Sequence, residues 1–339
     1  VTLKGTAGTN GAAGVGITTN AGTVNITDSV ADATGFAESS AVTLAGTGAT
    51  APVTGVTLSG GGASGALTTA AFTLAGTTNV NLASIDASGL ASTLDISGVT
   101  TAAGSAITLG SGNDKITIAP ADLALDAIVL NAGDGTDTVV TVNVDAAAAL
   151  DLRPGLTSVE ALDITTVAGG NGANTITYNM TDSTGLATVT LTVAGDDNVA
   201  ISKASGTIAL KLDGNQAAAS NSISLPDATG LNVTNTAAVG NTQVSDLTAA
   251  KATTLSIKNA HASNIAFDAV TVAKATDITL GGGGKAGTIA IATLSGAAAT
   301  TLTIDSSDGT VTIPTLTANK LTTLNISGDN AVSVGATAA

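Results

Sequence analysis

Along most of the chain, apolar residues alternate with Thr, Ser or Asn for a few positions before Gly, Asn or Asp interrupts the run. An alternation of period two predicts strands with one buried face, and the interrupting residues predict turns. Helices are nearly absent by the same criterion. In the C-terminal part the alternation recurs at a fixed distance. Thr253-Thr254-Leu255-Ser256-Ile257, Thr276-Asp277-Ile278-Thr279-Leu280, Thr300-Thr301-Leu302-Thr303-Ile304 and Thr322-Thr323-Leu324-Asn325-Ile326 place their first apolar residue at 255, 278, 302 and 324, spacings of 23, 24 and 22. Two more tracks keep step: Leu247, Val270, Leu294 and Leu316 before each run, and Ile265, Ile289, Val311 and Val332 after it. Fainter copies run upstream through Leu231, Leu210 and Val189.

Three apolar tracks in register predict three short strands per repeat, each stacked on its equivalent in the next repeat. A period of this size marks a solenoid. The fold class expected is therefore all-β, a right-handed parallel β-helix or β-solenoid with about 22 residues per coil. Three regions are expected: a less regular β-rich part over 1–105, acidic coils over 106–165, and regular repeats over 166–339. In the first, Val24-Asn25-Ile26, Val42-Thr43-Leu44, Val56-Thr57-Leu58 and Phe72-Thr73-Leu74 read as strands. They fit either shorter coils of the same helix or a separate β-sandwich. The stretches Gly5 to Gly16 and Gly60 to Gly65 read as loops.

Composition narrows the function classes. Of 339 residues 41 are Gly; there is no Cys or Trp, one Tyr and three Phe. Disulfides, zinc–thiolate sites and cysteine nucleophiles are excluded. A narrow stacked core, with room for Val, Ile, Leu and Ala, accounts for the scarcity of rings. Ten basic residues face 25 acidic ones, a net charge of −15, so nucleic acid is not an expected partner. With 44% hydrophobic and only 10% charged residues the chain is not of the disordered class. No apolar run approaches the roughly 20 residues of a membrane-spanning helix. The opening Val1-Thr2 already reads as strand, as in a mature or cropped chain.

The acids are unevenly placed. Residues 110 to 163 hold Asp114, Asp122, Asp126, Asp134, Asp137, Asp145, Asp151, Glu160 and Asp163, opposed only by Lys115 and Arg153. Within this stretch Gly110-Ser111-Gly112-Asn113-Asp114-Lys115-Ile116 and Gly133-Asp134-Gly135-Thr136-Asp137-Thr138-Val139 both read G-x-G-x-D-x-(I/V). This is the core of a calcium-binding nonapeptide. Glycines permit the turn and bring carbonyl oxygens inward, and the Asp adds a charged oxygen. Calcium takes six to eight such oxygens. The expected metal ligands are Gly110, Gly112, Asn113, Asp114, Gly133, Asp134, Gly135 and Asp137, with Asp196 and Asp197 in a degenerate third copy. Leu109 and Ala132 replace the first Gly of the nonapeptide, and the copies step from 110 to 133, where tandem nonapeptides would step by 9 or 18. They read as isolated sites within a solenoid. Asp305, Asp308 and Asp329 read as ordinary turn formers.

These two motifs, followed by Leu156-Thr157-Ser158-Val159-Glu160-Ala161-Leu162, resemble bacterial S-layer and related secreted proteins of the repeats-in-toxin (RTX) type. The Thr-Thr-Leu-x-Ile strands and Ile85-Asp86-Ala87-Ser88-Gly89-Leu90 resemble the same group, and the likeness covers most of residues 80 to 339. It implies calcium (Ca2+) as cofactor, type I secretion, an extracellular location at the bacterial cell surface, and self-assembly into a homo-oligomeric lattice or filament. A cell-surface polysaccharide is a further partner it suggests. The C-terminal secretion tail usual in that group is not evident in Val332 to Ala339, which fits a cropped chain.

Enzyme readings fare worse. His261 is followed by Ala262 and Ser263, so the H-E-x-x-H of a zinc protease is missing. Asp196 with Asp197, or Asp305 with Asp308, would be the carboxylate pair of a glycosidase, but carbohydrate clefts use rings and basic groups that are scarce here. Thr-x-Thr pairs such as Thr301-Leu302-Thr303 raise an ice-binding face, yet equivalent positions hold Ser256, Asn325 and Ala290. The Asn-x-Thr/Ser sequons at Asn25, Asn179, Asn232 and Asn325 are chance occurrences in such a composition. The expected role is a structural surface protein without catalysis, and the alternative is a secreted adhesin that binds cells or glycans.

Overall fold

A computed structural model of the chain describes residues 2–3, 13–19, 21–28, 40–46, 53–60, 71–76, 80–90, 93–96, 101–118, 128–142, 150–152, 155–165, 175–181, 183, 185–192, 198–213, 221–238, 240–282, 284 and 287–336. Among these residues every regular element is a strand, and strands pair in parallel with partners about one coil away. No helix there is long and apolar enough to cross a membrane. The architecture is a β-solenoid with a characteristic step of 23 positions from one coil to the next. The chain forms two compact units: Val1–Thr141 with Arg153–Leu162 and Asp182–Gly185, and Val142–Leu152 with Asp163–Thr181 and Leu186–Ala339.

In the second unit the sequence tracks are the stacking register. Leu255 pairs with Ile278, Ile278 with Leu302 and Leu302 with Leu324. Leu247 pairs with Val270, then Leu294 and Leu316; Ile265 with Ile289, then Val311 and Val332. Two details differ from the expectation. Each coil here carries two strands, because the second and third tracks share one strand. In Ile265–Thr271, Ile265, Phe267 and Val270 are buried while Asp268 is exposed, so the inward phase slips by one residue mid-strand. Ile289–Ser295 and Val311–Thr317 repeat that slip. Upstream, Leu231 stacks on Ile208 and Leu210 on Val233, so Leu210 is one alternation off the expected track.

Threonine explains why the corner of each coil is so regular. The hydroxyls of Thr253, Thr276, Thr300 and Thr322 each donate to the carbonyl of the threonine one coil earlier, Thr229, Thr253, Thr276 and Thr300. Backbone amides of the same residues follow the same route. The inner positions are mostly aliphatic, but rings are admitted singly: Tyr178 and Phe267 are the largest fully buried side chains. Tyr178 stands in register with Ile201, and Phe267 with Val244 and Ile291.

The first unit resolves the choice left open by its sequence. The strands over 24–26, 42–44, 56–58 and 72–74 all exist, and among the described residues they are coils of parallel strands, with no sandwich pairing. The coils are longer than expected. Ala13 pairs with Ser40, Thr23 with Gly55 and Ser40 with Phe72, steps of 27, 32 and 32. Two strands of this region lie within one step, and the spacing between successive strands imitates a shorter coil. From Ile85 onward the step falls to 22 and 23, through Ile107 and Leu130. The Gly-rich stretches read as loops lie mostly outside the described residues; Ala13–Thr19, which overlaps the end of the first, is a strand.

Candidate functional site: a column of stacked acids

The two glycine motifs and Glu160 belong to the first unit, while Val142–Leu152 and Asp163 of the acidic stretch belong to the second. The spacing of the two G-x-G-x-D motifs equals one coil, so they are not isolated but lie directly one above the other. Lys115 pairs with Thr138, Ile116 with Val139 and Thr117 with Val140. The turns preceding these strands are packed backbone to backbone. A Cβ on Gly110 would collide with the Leu90 carbonyl, one on Gly133 with that of Gly110, and one on Gly135 with that of Gly112. Gly133 also has φ +89°, a conformation that side chains disfavour. Gly110, Gly133 and Gly135 are thus required by coil-on-coil contact before any ligand is considered.

The motif side chains tie the two turns in both directions. Asn113 Oδ1 accepts the amide of Thr136 in the coil above at 2.9 Å, and Asp137 Oδ1 accepts the amide of Asp114 in the coil below at 2.7 Å. Asp114 in turn accepts Leu94 N–H at 2.7 Å through Oδ1 and Gly110 N–H at 3.2 Å through Oδ2. The exposed Asp134 adds its backbone amide to the Gly110 carbonyl. Asp196 and Asp197, the third expected copy, lie outside the described residues.

Sequence reasoning misses one residue of this array as a site. Glu160 Oε2 accepts Asp137 N–H at 2.9 Å, repeating the contact that Asp137 makes with Asp114. The signal is present in the numbering, because 114, 137 and 160 are one coil apart, but Glu160 falls outside the glycine motif. Beyond it the column loses its charge, where Ser183 donates its hydroxyl to the Val159 carbonyl. On the other side it ends at the buried Leu94.

This is a costly arrangement for carboxylates. Asp114 and Asp137 retain 2% and 1% of their exposure. Burial pushes the Asp114 carboxyl up to about 6, against the pull of the Leu94 and Gly110 amides. Burial pushes Asp137 further, to about 7; the Asp114 amide opposes this, and the charges of Asp114, Glu160 and Asp134 add to it. Asp137 Oδ2 is buried with no hydrogen-bond partner. A buried carboxylate oxygen left in that state needs a proton or a cation.

The two aspartates differ in how their oxygens are used. Calcium prefers oxygen ligands, and Asp137 offers an uncommitted one, whereas both Asp114 oxygens already accept amides. Among the described residues no group of three His, Cys, Asp or Glu side chains forms a ready-made metal cluster. An ion at Asp137 would therefore need backbone or water oxygens as well.

The other acids considered have local work. Asp305 accepts both the amide and the hydroxyl of Ser307, which holds its carboxyl below the usual range, and Asp308 accepts Gly284 N–H at 2.6 Å. Comparison with family models, with curated proteins and with solved structures finds no match to this chain.

Proposed function

We propose that this chain is an extracellular structural protein of a bacterial surface layer or fibre, whose folding and self-assembly depend on calcium. The observation that carries the calcium part is the partnerless, buried Oδ2 of Asp137 within a stacked column of acids. The surface-layer part rests on the resemblance of the two stacked motifs and the Thr-Thr-Leu strands to RTX-type proteins. A solenoid of small, β-branched residues supports a mechanical role, since each coil is stabilised chiefly by its neighbours.

In this reading calcium supplies positive charge to a column that otherwise requires protons. The chain's own residues do the rest. Asn113 and Asp137 lock successive turns together, and the glycines let their backbones meet. At low calcium the acids repel and hold the coils open for export; at high calcium they close. A hundredfold excess of ion over its dissociation constant would stabilise the folded state by about 2.7 kcal/mol. The partner is a second copy of the chain, in a lattice or filament, with a cell-surface polysaccharide as a further ligand.

Particle size and circular dichroism, followed while calcium is added and then chelated, test the proposal. Ordered assemblies should appear with calcium and disperse with chelator. Monodisperse particles that bind cells or glycans in calcium would favour an adhesin, and no change in either signal would sink the calcium dependence.

A further inference from the structure

We propose that Glu160 is a ligand of the same cation as Asp137, and that Asp114 is not. The inference rests on the calcium reading above and moves the site one coil away from where the glycine motifs place it. The first argument is oxygen availability. Each Asp114 oxygen already accepts an amide, at 2.7 and 3.2 Å, so neither is left without a partner. Asp137 has one committed and one free, and that free oxygen is buried. Glu160 has Oε2 on Asp137 N–H, while Oε1 makes no hydrogen bond among the described residues and faces Gly185.

The second argument is position. The bond between Glu160 Oε2 and the Asp137 amide holds the glutamate carboxylate against the residue that carries the orphaned oxygen. Glutamate at this step of the column, with a side chain one methylene longer, is only half-buried. Calcium accepts water among its six to eight oxygen ligands, and a half-buried carboxylate lets water reach the ion, which the enclosed Asp114 does not. The third argument is the room left on the far side. A Cβ at Gly185 would come within 2.8 Å of Glu160 Oε1, so glycine there leaves that oxygen free to move. Asp134, exposed on the same turn as Gly133, contributes charge at the rim.

Calcium titration calorimetry on the full chain tests the assignment with Asp114→Asn, Asp137→Asn and Glu160→Gln. Asp137→Asn and Glu160→Gln keep an oxygen for the one ladder hydrogen bond that each side chain accepts. Asp114→Asn keeps only one of its two and turns an NH2 toward Leu94 or Gly110, so its circular dichroism must match wild type before its affinity is compared. Wild type should bind; Asp137→Asn and Glu160→Gln should each weaken binding at least tenfold, and Asp114→Asn by less than threefold. If wild type binds but Glu160→Gln stays within threefold of it, or Asp114→Asn loses as much as Glu160→Gln, the assignment is wrong and the calcium reading stands. If wild type takes up no calcium, both fall. Gly185→Ala leaves every charge in place and should also weaken binding, with circular dichroism confirming that the strands are intact; unchanged affinity in that variant contradicts a role for Oε1.

Discussion

Acidifying the calcium-free protein from pH 8 to pH 5 should stabilise it. Asp114 and Asp137 have carboxyls raised to about 6 and about 7 in the folded state, chiefly by burial, from an ordinary value near 3.8. A raised carboxyl favours folding while it is protonated in the native state. Its contribution is complete below about pH 4, falls as pH climbs through the folded values, and is gone above about pH 8. Each tenfold change in proton affinity corresponds to about 1.4 kcal/mol, so the two groups together are worth on the order of several kcal/mol. Denaturant midpoints measured in chelator at half-unit intervals should rise steadily from pH 8 to pH 5. Asp137→Asn, which is neutral at every pH and can still accept the Asp114 amide, should flatten most of that slope. A midpoint that falls on acidification over this range would show that the column is not buried as described.

The second large effect is expected at Gly133. Alanine there must adopt a φ of +89° and place its Cβ against the Gly110 carbonyl, backbone that has no freedom to move aside. The conformational part alone is worth roughly 1–2 kcal/mol, and the collision forces the two stacked turns apart. A loss of roughly 3 kcal/mol or more is expected, with the acidic coils opening first. Gly104 is the control. It has φ +76° but nothing within 4 Å of the place a Cβ would occupy, so Gly104→Ala should cost only the conformational part. Equal losses at the two positions, by urea denaturation, would show that turn-on-turn contact is not what Gly133 serves.

How much of this is readable without coordinates depends on what each feature requires. The tracks through Leu255, Ile265 and Val270 are legible because stacking in a solenoid demands the same side chain type at each coil. Their division into strands is not, since a phase slip at Asp268 and a turn between two strands leave the same trace in sequence. The N-terminal coils are blurred for a related reason: the long steps from Ala13 to Ser40 and from Thr23 to Gly55 interleave two strands whose spacing imitates a shorter period. At the site, G-x-G-x-D marks the right turns, and the interval from 114 to 137 already encodes their stacking. What the motif does not convey is the direction of the carboxylates. Whether Asp114 turns its oxygens to amides or to an ion depends on Leu94 and Gly110, and only the stacked coils show both.

The most direct test is the thermal unfolding midpoint of the full chain at neutral pH, in chelator and in millimolar calcium, with magnesium at the same concentration as the control. A column of acids that needs a cation predicts a clear rise with calcium, a smaller one with magnesium, and loss of the calcium increment in Asp137→Asn. Identical midpoints in chelator and in calcium would contradict it.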